Sequence, residues 1–190
     1  MSQPLFNSYQ WNDAKRERLD SDGSLLLPGL LTASACEHLV AALERVNTLP
    51  ATGGHQPRRF AAEHDDCLAS LIGHPQMLEL ARGVLGSEIR FDHCVDLSRA
   101  GSDPGQGWHT HPYASAQPEL GFLRIFFYVN GFVAGDGGLR VVPGSHLFRD
   151  LQMPNTTDQE LRERWMADKR HPLTGELLAI DDLNLSLIHI

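Results

Sequence analysis

The apolar positions divide the chain into two regimes. From about residue 34 to 86 they recur at the spacing of a helix; after that they alternate with polar residues, as in strands. Leu39, Val40, Leu43 and Val46 share one helical face, and Ser34-Ala35-Cys36-Glu37 opens that helix in capping-box form. Leu68, Leu71 and Ile72 mark a second helical region from near Asp65, broken at Gly73-His74-Pro75. Met77, Leu78, Leu80, Ala81, Val84 and Leu85 then continue to Gly86, a natural helix stop. Ahead of the helices, residues 1–21 are polar and of mixed charge and are expected to form a surface arm. Residues 22–31 read as a short apolar strand running into a turn.

Beyond Gly86, Ile89, Phe91, His93 and Val95 alternate with Arg90, Asp92, Cys94 and Asp96, which places His93 on the core face of a half-buried strand. The strongest strand signal is residues 122–130. Leu123, Ile125, Phe127 and Val129 lie on one side, and Phe122, Arg124, Phe126, Tyr128 and Asn130 on the other. A Gly-rich turn leads to Leu139-Arg-Val-Val-Pro143, which is expected to pair antiparallel with 122–130. Thr157-Asp-Gln-Glu160 is a second capping box, opening a charged helix with Leu161 and Trp165. The pattern predicts a single domain over residues 1–190: a polar arm (1–21), a mostly helical part (22–86) and a β-rich core (87–190). Its class is α+β, mainly β with N-terminal helices.

Composition narrows the function. The 190 residues carry a net charge of −8, so the basic stripe of a nucleic-acid binder is missing at the level of totals. No apolar run approaches the ~18 residues of a membrane span, and the start has no secretory signal pattern. Three cysteines without C-x-x-C spacing suit a reducing compartment, and the expectation is a soluble, acidic, cytoplasmic domain. Ten histidines, more than packing needs, raise the question of metal.

His109-Thr110-His111 is the sharpest chemical feature. In an extended chain, residues i and i+2 point the same way, so both imidazoles can reach one ion. The Gly-rich loop before them allows close backbone approach, Trp108 can wall one side, and Thr110 and Tyr113 flank the pair. Imidazole alone does not choose among iron, zinc, copper and nickel. A binuclear H-x-H-x-D-H hydrolase is excluded because Pro112, Tyr113 and Ala114 follow, and an amidohydrolase barrel needs a longer chain.

Asp22-Gly23…Leu27-Pro28-Gly29-Leu30-Leu31 before a capped helix resembles the N-terminal segment of the phytanoyl-CoA dioxygenase family. So do the Trp108-His109-x-His111 segment and Asn130-Gly131…Gly137-Gly138-Leu139-Arg140-Val141-Val142-Pro143-Gly144-Ser145-His146, and the likeness runs from about residue 20 to about 150. The resemblance implies a double-stranded β-helix (jelly roll) and an oxygenase that uses Fe(II) and 2-oxoglutarate to hydroxylate or oxidise a small molecule. It implies His109 and His111 as metal ligands, although the family's metal-binding Asp falls where this chain has His111. The family's distal His and cosubstrate-binding Arg have no evident counterpart here. His189 or His146 is left as a third ligand, and Arg124 with Thr110 as cosubstrate contacts, with Trp108 and Tyr113 lining the substrate pocket.

Residues 185–190 resemble translated adapter sequence, so the jelly roll is expected to be incomplete at its C-terminus, and this polypeptide is expected not to couple 2-oxoglutarate decarboxylation to substrate oxidation. Two rival readings stay open. One is a cupin-like three-histidine dioxygenase that does not use 2-oxoglutarate; the other is a catalytically silent jelly-roll binding module.

Overall fold

The structure, a computed structural model, describes residues 4–51, 53, 55–98, 105–111, 120–131, 138–148 and 153–183. Its first half is helical: α1 (Asp13–Asp22), α2 (Ala33–Asn47), α3 (Asp66–Ile72) and α4 (Pro75–Leu85), with a 3-10 segment at Pro57–Glu63. The helix ends follow local chemistry. Asp65 caps α3 by accepting from the Cys67 and Leu68 amides, Pro75 occupies the first turn of α4, and Gly86 closes it at φ 97°. The α2 cap is Thr32, ahead of the expected Ser34: its hydroxyl accepts from the Ala35 amide at 3.1 Å and donates to the Pro4 carbonyl at 2.8 Å. A long-range contact to the N-terminal segment chose the start of the helix.

Leu39, Ala42 and Val46 of α2 meet Leu68, Leu71, Met77 and Leu80 in a buried cluster that also takes in Phe6. That burial corrects the expected surface arm. Residues 5–7 run alongside 30–32, with the Asn7 amide donating to Leu30 O (2.8 Å) and the Thr32 amide to Leu5 O (3.1 Å). The ring of Phe6 meets His74 edge-on at 4.6 Å. Thus the expected strand at 22–31 reduces to one bridge, Phe6 to Leu31. No residue of α1 is buried; its ends and its i,i+4 pairs Arg16–Asp20 and Arg18–Asp22 hold it instead.

The four carbonyls at the C-terminal end of α1 are all occupied, and this joins the two halves of the chain. Leu19 O accepts from the Gly23 amide (2.8 Å) and Asp22 O from the Gly144 amide (3.0 Å). Asp20 O accepts from His146 Nε2 and Ser21 O from His171 Nε2, each at 3.0 Å. Such orphan carbonyls otherwise rely on water or a terminal glycine motif. His171 is 7% exposed, and its Nδ1 accepts from the Leu173 and Thr174 amides.

The second half packs around Val142, Leu161, Met166 and Leu178, with Trp108, Phe148, Met153 and Trp165 against them. The Thr157–Glu160 capping box forms as expected and opens α5 (Asp158–Glu160), which continues as a π-type turn over Leu161–Met166. The mainly-β core does not emerge among the described residues. Their one ladder pairs β1 (Arg140–Val141) with β2 (Asp181–Asp182), antiparallel, so residues 139–143 do not pair with 122–130. Phe127 and Val129 instead pack on the helical cluster, leaving Phe122, Ile125 and Phe126 exposed. Alternation produces an extended chain, but a strand also needs a hydrogen-bonding neighbour, which is a non-local choice.

The 93–96 stretch is inverted relative to expectation, whereas Ile89 stays partly buried and Arg90 exposed. Phe91 and Val95 are exposed, whereas Asp96 is 4% exposed. Cys94 O accepts from the Ala61 amide, and the Asp96 amide donates to Arg58 O, each at 2.8 Å, so Cys94 and Asp96 face the helical layer. His93 therefore lies outside the core, against Asp92 at 2.7 Å. No helix among the described residues is long and apolar enough to cross a membrane.

Candidate metal centre

The segment carrying the two candidate ligands is docked by its even-numbered residues. Trp108 exchanges both backbone hydrogen bonds with Thr156 (2.8 and 2.9 Å), and the Thr110 amide donates to Met153 O at 3.1 Å. The Thr110 hydroxyl accepts from the Met153 amide at 2.8 Å, so this side chain, expected at the cosubstrate, anchors the segment. Gly107 permits the approach: a Cβ there would stand 2.7 Å from both Asn155 Oδ1 and Thr156 O. Trp108 also faces this side. Its Nε1 donates to Asp158 at 2.7 Å, and the Arg140 guanidinium covers its ring at 4.9 Å while gripping both Asp158 oxygens at 2.5 and 2.6 Å.

Alternation then sends His109 and His111 to the opposite side, as their spacing predicts. Their ring centroids are 5.0 Å apart at 77°. His109 Nδ1 lies 2.9 Å from Gly107 O; a carbonyl only accepts, so Nδ1 donates to it, and in the neutral ring Nε2 keeps its lone pair for a metal. This is the second-sphere arrangement that orients a metal-binding imidazole. Burial, with the charge of Arg124 and then His109, lowers the His111 pKa below its ordinary value and favours the neutral, ligating form. Arg124 is thus electrostatically coupled to the pair. Further along the same segment the Phe126 and Tyr128 rings stack on each other at 6.2 Å, and burial pushes the Tyr128 hydroxyl up to about 12.

The structure therefore brings His109 and His111 together, with the Arg124 charge within electrostatic reach of His111. Both histidines lie on an exposed side of the segment, and no enclosed cavity of the expected barrel surrounds them among the described residues. Two imidazoles so placed fit Fe(II) as part of a ligand set. Among the described residues no group of three His, Cys, Asp or Glu forms a metal site, so the third donor is not supplied there. His146 is excluded by position: its Nε2 donates to Asp20 O at the end of α1. Tyr113 and His189 lie outside the described residues.

Sequence reasoning missed the Asp158–Arg140–Trp108 contact that holds the segment. The Thr157 capping box located Asp158, but nothing local pointed to a partner 50 residues upstream. Hydrogen bonds from Arg140 and then Trp108 hold the Asp158 carboxyl down at about 2. Its folded pKa is below the unfolded value near ~4, so its stabilisation is present above pH ~4 and disappears as pH falls through about 2. The side chains of Arg140 and Asp158 are 40% and 45% exposed, which limits the contribution to about 1 kcal/mol. Asp158→Asn is expected to lower stability by that amount at pH 7 and to flatten the fall in Tm between pH 5 and 2. Thermal melts across this range check it; an acid slope equal to wild type would refute the assignment.

Comparison with known proteins places the chain in a family. The family model for phytanoyl-CoA dioxygenase (PhyH) matches residues 19–179, most of the chain. The chain belongs to that family, whose members generally use Fe(II) and 2-oxoglutarate. No curated protein and no solved structure gives a significant match.

Proposed function

We propose that the protein is a non-haem Fe(II)- and 2-oxoglutarate-dependent dioxygenase that hydroxylates or oxidises a small molecule, with His109 and His111 as two of its metal ligands. The observation that carries this reading is the pair itself: adjacent rings, one with its Nδ1 proton committed to Gly107 O and the other kept neutral, in a chain of this family. Iron and 2-oxoglutarate, when bound, supply O₂-driven oxidation of a C–H bond coupled to decarboxylation.

The chain's residues have separable tasks. Gly107 O sets the His109 tautomer, and Thr110 and Trp108 hold the segment so that both imidazoles project together. Arg124 favours neutral His111 and provides a cation for a cosubstrate carboxylate. The Phe126–Tyr128 face offers aromatic surface to an organic substrate.

His111 in place of the family's carboxylate leaves the bound metal with one more net positive charge and favours the three-histidine dioxygenase as the second reading. Anaerobic titration with Fe(II), followed by 2-oxoglutarate, separates the readings. The first expects metal-dependent 2-oxoglutarate binding, weakened about tenfold or more by Arg124→Ala. Iron retention without 2-oxoglutarate binding would select the three-histidine reading. Failure to retain iron would select a silent binding module.

A further inference from the structure

A second pair of imidazoles lies away from His109 and His111, in the helical half. The Nε2 atoms of His55 and His64 face one another at 3.2 Å. Two imidazoles on one tetrahedral ion, each at ~2.0–2.1 Å, have their nitrogens about 3.3 Å apart, so the two Nε2 atoms already stand at the required spacing and the rings need only turn toward an ion beside the line that joins them. Without metal, one Nε2 must donate to the other, because two bare nitrogens cannot both accept.

The pair is held from both sides. His55 stacks on Phe60 at 5.1 Å and 11°; Phe60 breaks the helical backbone of Pro57–Glu63 at φ −136° and ψ 44°. His64 ends that segment, its amide donating to Ala61 O at 3.1 Å. Around His64 is an open depression lined by Arg45, Glu63, Asp65, Asp66 and Cys67. Arg45 and Asp65 are spent on each other at 2.7 Å, leaving the Glu63 and Asp66 carboxylates to set the local charge.

We propose that His55 and His64 form a separate site for a borderline divalent cation of the zinc, nickel or copper class, with water or a neighbouring carboxylate completing the shell. The ion replaces the shared imidazole proton and ties residue 55 to the end of the 3-10 segment. Binding is therefore proton-linked and weakens in acid.

Zn(II) calorimetry on the His109→Ala/His111→Ala double variant at pH 7.5 tests this with the other pair removed. One Zn(II) per chain is expected. Its affinity should fall at least tenfold on adding either His55→Ala or His64→Ala, and should hold on adding His38→Ala, a control on α2. The far-UV spectrum of each variant and of His64→Asn, which retains a polar end to the segment, separates ligand loss from unfolding. Zn(II) should raise the Tm of the double variant and have no such effect once His64 is Asn. No Zn(II) binding by the double variant, an affinity left unchanged by both His55→Ala and His64→Ala, or a loss with only one of them would overturn the shared site.

Discussion

His109→Ala is expected to weaken Fe(II) binding by about 100-fold or more, or roughly 2.7 kcal/mol. Disturbing even an outer partner of a metal-bound imidazole costs 10–100-fold in affinity, and this substitution removes the ligand itself along with the hydrogen bond to Gly107 O. Chelator competition under anaerobic conditions, in a His64→Ala background so that the His55–His64 pair does not contribute, measures the change. Stability provides an independent readout. Fe(II) at about 100 times its dissociation constant should stabilise the parent by about 2.7 kcal/mol and leave the variant nearly unaffected. Equal metal-induced stabilisation in the two proteins would remove His109 from the site.

Gly144→Ala is expected to destabilise the fold by about 3 kcal/mol, through backbone strain and overpacking together. Gly144 is held at φ 79°, where an L side chain is strained, and a Cβ there would run into the His171 ring. Its amide caps Asp22 O, and the displaced ring caps Ser21 O. One methyl group thus disturbs two of the three bonds that close α1 against the second half. Denaturant unfolding measures the loss, and amide exchange locates it: protection should fall at Gly23 and around residues 171–175 before it falls in α2. A loss under 1 kcal/mol would mean that the clamp yields freely and does not couple the halves.

These two sites differ in how far the sequence discloses them. The His109–His111 pair is visible because side-chain direction in an extended chain has a period of 2, a local property. Its two imidazoles come together as that period predicts. The proton on Nδ1 of His109 and the charge of Arg124 beside His111 depend on backbone and side-chain approach, which spacing does not encode. The clamp at α1 is the opposite case. Pro143-Gly-Ser-His146 is a recognisable string, but its use of Gly144 and His146 on carbonyls more than 100 residues upstream is set by tertiary packing.

The helical layer was the most legible part, because its determinants act within a turn or two. Asp65, Pro75 and Gly86 mark helix ends through their own backbone and side-chain chemistry, and the apolar period of α2 marks its buried face. Even there, the start of α2 shifted to Thr32 because its hydroxyl reaches Pro4 O. Family membership was also legible, since it resides in a string of residue identities. The tertiary structure alone decided that Phe6 enters the core, that Asp96 and not Val95 turns inward, and that Arg140–Val141 pairs with Asp181–Asp182. Each is a choice of partner between segments far apart in the chain. Periodicity gives a segment two faces; which face is buried depends on what the rest of the fold brings against it.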